Sequence, residues 1–150
     1  MNQEELLEKL VATEGLPYRW CYCFNEQCPW KETCVRSLSV KYLGSDCECG
    51  DAVYPHAWQG GECEMFCQLH VEKRAWGFDN LFKDVKACDA HGMRLLLRSY
   101  LRSKGQYYRY KLGQLKLTPA KQADILRLFR SKGYPNVCFD HYEDVISYKD

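Results

Sequence analysis

Ten cysteines in a chain of 150 residues constrain this fold more than any other feature. They are Cys21, Cys23, Cys28, Cys34, Cys47, Cys49, Cys63, Cys67, Cys88 and Cys138, and eight of them precede residue 70. The stretch 18–70 has weak apolar periodicity and many turn residues, so side-chain burial alone would not hold it in one shape. The start of the chain, MNQEELLEKLVATEG, is acidic and amphipathic and lacks the basic flank and apolar run of a secretory signal. The expected location is therefore cytoplasmic, where a reducing milieu favours thiolate ligation over disulfides. Disulfides and inert buried thiols stand as the alternatives.

The chemistry follows from the spacing. Cys21-x-Cys23-x4-Cys28-Pro-x4-Cys34 sets soft thiolates at short intervals, which suits Zn²⁺ in a four-coordinate site. Cys63-x3-Cys67 adds a pair; on a helix over 62–71 the two would share a face, with His70 continuing it. The expectation is that Cys23, Cys28 and Cys34 join Cys63 or Cys67 around one zinc. Cys47-Glu-Cys49 is a candidate second site with Cys21 and His70 or His56. Cys88 and Cys138 are isolated and read as buried thiols. An iron–sulfur cluster is the competing cofactor, although neither ferredoxin spacing is present. The four histidines (His56, His70, His91, His141) are scattered. No zinc-protease, nucleophile-elbow or phosphate-loop motif occurs, and Cys-x-Cys is not the Cys-x-x-Cys of a thioredoxin-like oxidoreductase. The chain reads as a non-enzyme.

A net charge of +1 hides an asymmetry. Residues 1–70 carry 5 Lys and Arg against 11 Asp and Glu, and residues 71–134 carry 15 against 5. Two functional parts follow, a cysteine-rich 1–70 and a basic 71–150, within one compact unit. Arg94, Arg98, Arg102 and Arg109 accompany Tyr107 and Tyr108, a combination that offers phosphate neutralisation and base stacking. Nucleic acid is the leading partner class and another protein the alternative. No apolar run reaches the roughly 18 residues of a membrane span.

Periodicity predicts a first helix capped by Asn2 and ending near Thr13, and short helices at Lys31–Val40 and 62–71. Met93, Leu96, Leu97, Tyr100 and Leu101 form a helical stripe. QYYRYKLGQLKLT reads as a hairpin turning near Gly113. Thr118-Pro119 opens another helix, and Asp140 is read as capping a last one. The fold class is α+β, mostly helical, with a metal-stabilised amino-terminal half and a short β-hairpin between carboxy-terminal helices.

The stretch CYCFNEQCPWKETCVR, with its Cys23, Cys28, Cys34 and Arg36, carries a resemblance. So do Tyr107–Tyr110, Leu117–Pro119, Gly133–Tyr134 and Phe139–Tyr142. Together they resemble a family of uncharacterised small cysteine-rich proteins of gut-associated bacteria, over most of the chain. The resemblance implies no activity, and Cys47 and Cys49 lie outside its pattern. The functional expectation is a zinc-stabilised binding or regulatory module. A thiol-based redox sensor and an iron–sulfur protein are the alternatives.

Overall fold

The computed structural model describes residues 1–149, and its elements make an α+β protein. Contacts divide the described residues into two units, 1–71 with 146–149, and 72–145. Among the described residues no helix is long and apolar enough to cross a membrane.

The first unit opens with helix α1 (Gln3–Thr13). Asn2 and Glu5 form the expected capping box, each side chain accepting from the other's backbone amide at 2.8 and 3.2 Å, which satisfies two otherwise orphaned donors. Leu6, Leu7 and Leu10 are buried on one face. They pack with Val35, Cys67 and Leu69, and Trp20, Leu38, Ile146 and Tyr148 close over the cluster. Gln3 joins helix to strand: its amide donates to the Leu69 carbonyl and accepts from the Leu69 amide, at 2.9 and 2.6 Å. A short helix α2 (Val35–Leu38) runs into a 3₁₀ turn over Ser39–Tyr42, where one longer helix was expected. Strands β1 (Trp58–Gln59) and β2 (Glu62–Cys63) pair antiparallel around Gly60-Gly61.

The helix expected over 62–71 is not formed. That stretch contains β2 and the start of strand β3 (Gln68–Trp76), which pairs with β4 (His141–Lys149). QLHVEKRAW supports either period locally; pairing selects the strand, with Leu69 and Ala75 buried on it.

The second unit holds α3 (Asp79–Phe82), α4 (Ala87–Tyr100), α5 (Lys104–Lys111) and α6 (Pro119–Ser131). From the α4 stripe, Met93, Leu97 and Leu101 are buried, while Leu96 and Tyr100 are exposed. The core gathers them with Phe78, Tyr107, Leu117, Ile125, Phe129 and Phe139. The segment read as a hairpin is helix α5. Ser103 caps it by accepting from the Gln106 amide at 3.1 Å, and the i, i+3 pair Tyr107 and Tyr110 turns inward. Its alternating Tyr and basic residues imitate a strand only while that core is out of view. After α5, Leu117 exchanges backbone bonds with Ala75 at 3.2 and 2.8 Å. The helix expected after Asp140 is not formed, and Asp140 serves α3 instead. Its carboxylate accepts from Asp79 and Asn80 at the start of α3, and the chain after it is strand β4.

Candidate metal centre

The cysteine loop is shaped by its backbone bonds. Tyr22 bridges Ala52, with the Val53 amide on the Tyr22 carbonyl at 2.8 Å. The Cys23 amide then donates to Arg36 at 3.0 Å. Asn25 starts a turn, its side chain accepting from Gln27 and its carbonyl from the Cys28 amide. A second turn follows through Pro29 and closes with the Cys34 amide on the Trp30 carbonyl at 2.8 Å. Val35 donates to the Cys67 carbonyl, and the β1–β2 hairpin delivers Cys63 opposite Trp58.

These turns set Cys23, Cys28, Cys34 and Cys63 around one cavity of about 20 Å³, with Trp30, Val53, Met65 and Phe66 in its wall. That is little more than a single water-sized sphere. Trp30 packs against Trp58 and Phe66, with ring centroids 4.8 and 5.4 Å away, so the surroundings are aromatic. Cys34 is buried and the other three are half-buried. These four residues line the wall without forming a ligand set: among the described residues no group of three or more His, Cys, Asp or Glu side chains is arranged to hold a metal ion. Three of the cysteines, Cys23, Cys28 and Cys63, also line a larger cavity of about 380 Å³ bounded by Phe24, Tyr54 and Trp58.

Arg36 braces this assembly, a role that spacing alone did not reveal. Its guanidinium donates to the carbonyls of Met65 and Cys21 at 3.0 and 3.1 Å and stacks on Trp20 at 4.4 Å. The Trp20 indole donates to Ser39 Oγ, which donates to the Arg36 carbonyl, so the buried hydroxyl is satisfied on both sides. The one sequence signal for Arg36 is its place directly after the Cys34-Val35 pair.

The match of the whole chain decides its family. The model of a family described as "Family of unknown function (DUF6078)" matches residues 1–148. The chain belongs to that family. No curated protein and no solved structure matches it.

In this DUF6078 protein the other candidates are dispersed. Cys67 is not part of the 20 Å³ cavity wall; it packs in the core with Leu6 and Val35. The second-site set is not drawn together. Cys47 and Cys49 are exposed on a loop, Cys47 Sγ lying 3.4 Å from the Cys49 carbonyl, and both border a cavity of about 570 Å³ with Trp20, Tyr22 and Phe24. Cys21 lies against the Arg19 carbonyl, His70 is half-buried on β3, and His56 is exposed beside Gln59. Cys88 and Cys138, expected to be buried, are exposed, because neither falls on an inward face of its segment.

The basic candidates also separate. Tyr107 is 3% exposed and packs 5.1 Å from Phe78, so it is a core residue and offers no stacking face. Arg94 lies over Phe82 at 4.9 Å, and Arg98 over Tyr107 and Tyr108 at 5.3 and 5.9 Å. Tyr108, Arg102 and Arg109 are exposed.

Proposed function

We propose that Cys23, Cys28, Cys34 and Cys63 bind one Zn²⁺ in a closed, structural site, which makes the amino-terminal unit a metal-stabilised binding or regulatory module. The observation that carries this reading is the shared 20 Å³ cavity. Four cysteines from two separate segments, the 23–34 loop and the β1–β2 hairpin, border a space the size of one small ion, with no carboxylate or imidazole in its wall. A zinc in so small a space would draw the four sulfurs in to the ~2.3 Å Zn–S distance. Four thiolates leave no open coordination position, so the role is structural rather than hydrolytic. Metal analysis of protein purified under reducing conditions tests the reading. About one zinc per chain is expected, lost with the fold when a strong chelator is added; metal-free folded protein would overturn it. The visible absorbance of an iron–sulfur cluster would select that cofactor instead.

A thiol-sensing role is the second reading, favoured by the 380 Å³ cavity that reaches three of the four cysteines. Alkylation separates the two. Zinc-held sulfurs resist iodoacetamide until chelator is present, whereas a sensing thiol reacts at once.

For the basic part we propose an anionic partner, nucleic acid, met by Arg102, Arg109 and Tyr108 with Arg94 and Arg98 behind them. Anisotropy titration of a labelled single strand at about 50 mM salt tests it, since phosphate contacts are strongest when counterions are dilute. Absence of binding there leaves a protein partner.

A further inference from the structure

A cavity of about 670 Å³ lies in the second unit, where the end of α4 turns into α5 and meets the start of α6. Its wall carries two cations from different elements, Arg102 in the turn and Lys121 on α6, and contains no aspartate or glutamate. Lys121 donates to the Tyr110 hydroxyl at 2.9 Å, one of the three donors an ammonium has. Arg102 holds φ 74°, a backbone region that suits glycine far better than arginine. Asp124, which touches the wall through the Tyr100 hydroxyl at 2.8 Å, is also engaged by Arg127 at 3.2 Å. The site therefore presents uncompensated positive charge.

A neutral group refines the selectivity. Ser103 lines the same space, and its Oγ, which accepts the Gln106 amide at 3.1 Å, keeps an O–H to donate. A hydroxyl donor beside two cations suits a phosphoryl group. The volume lies within the range of small-molecule pockets and is ample for a nucleotide.

We infer that this cavity binds a phosphomonoester of about nucleotide size, its phosphoryl oxygens between Arg102, Lys121 and the Ser103 hydroxyl. This goes beyond the partner reading above, which invokes an open basic surface.

The test is calorimetric titration of the full chain with inorganic phosphate and with a nucleoside monophosphate. Both should bind, the nucleotide more tightly, and Arg102→Gln or Lys121→Gln should weaken each by about ten- to a hundredfold, the loss of one charge-assisted contact. Arg130→Gln, at an exposed residue outside the wall, should leave affinity unchanged, and all three variants should keep the wild-type melting temperature. A 5′-phosphorylated strand that competes while its unphosphorylated counterpart does not would identify a strand end as the source of the phosphoryl group. Competition by the mononucleotide alone would identify a free metabolite. No heat with either ligand, or affinities that ignore Arg102 and Lys121, would overturn the assignment. That failure is distinct from failure of the surface reading, which predicts equal binding of both strands.

Discussion

The guanidinium carbon of Arg36 lies 4.4 Å from the ring centroid of Trp20, and the same group spans from the carbonyl of Cys21 to that of Met65. Arg36 thus joins the segment before Cys23 to the segment after Cys63. A lysine could keep the charge but not the planar fork or the stack. We predict that Arg36→Lys destabilises the chain by about 2 kcal/mol, the sum of a partly buried cation–π contact and one carbonyl left without its donor. It should also weaken zinc binding. Denaturant titration with and without chelator measures both, and an unchanged midpoint in the two conditions would refute the bracing role.

The cysteines should divide sharply on substitution. Cys28→Ser and Cys34→Ser remove proposed zinc ligands and should abolish stoichiometric metal and lower the melting temperature markedly. Cys138→Ser touches an exposed thiol and should change stability by less than about 0.5 kcal/mol. Metal content and thermal melts of the three proteins check the contrast.

Tyr107 and Tyr108 are neighbours with opposite fates. Tyr107→Ala should cost about 3–5 kcal/mol, the range for losing a large buried aromatic. Tyr108→Ala, at a side chain 40% exposed, should cost less than about 1 kcal/mol. If the stacking reading holds, Tyr108→Ala is the variant that weakens single-strand binding while the protein stays folded.

Gly77 has φ 85°, and a Cβ there would fall 2.5 Å from Asp140 Oδ2. That carboxylate caps α3, so it has little room to retreat. Gly77→Ala combines a left-handed backbone with a clash and should destabilise by about 2 kcal/mol or more. Far-ultraviolet thermal melts would read the loss, and a wild-type melting temperature would contradict it.

Alkaline pH should weaken the fold through its tyrosines. Burial and the hydrogen bond to Asp124 push Tyr100 up to about 12, and burial raises Tyr107 and Tyr148 as well. In the unfolded chain these phenols ionise near ~10. Stability is therefore intact below that pH and falls as pH rises from about 10 towards 12, where the unfolded state alone releases protons. Tyr100→Phe should flatten part of that fall, measured as the denaturation midpoint against pH.

Much was legible without tertiary information. Asn2 with Glu5, and Thr118 before Pro119, mark helix starts because a capping side chain bonds to an amide only two or three residues away. Met93, Leu97 and Leu101 point inward because helical spacing puts them on one face. The spacing of Cys23, Cys28 and Cys34 singled out the residues that share a cavity, since short turns leave few places for their side chains. Membership of the family was legible as well, from the cysteine stretch and the tyrosine-rich carboxy-terminal series.

The misreadings share one cause. Residues 62–71 and the segment from Asp140 onward support helix or strand locally, and only the pairing of β3 with β4 selects the strand. Tyr107–Tyr110 read as a hairpin until the core of Phe78 and Phe139 draws Tyr107 inward. Cys63 rather than Cys67 faces the cavity because the first ends the β1–β2 hairpin while the second turns into the leucine cluster. Capping and short cysteine turns are interactions over a few residues, so the sequence by itself determined them. Strand pairing, the direction of each tyrosine and the choice between two cysteines depend on partners tens of residues away, and only the tertiary structure decided those.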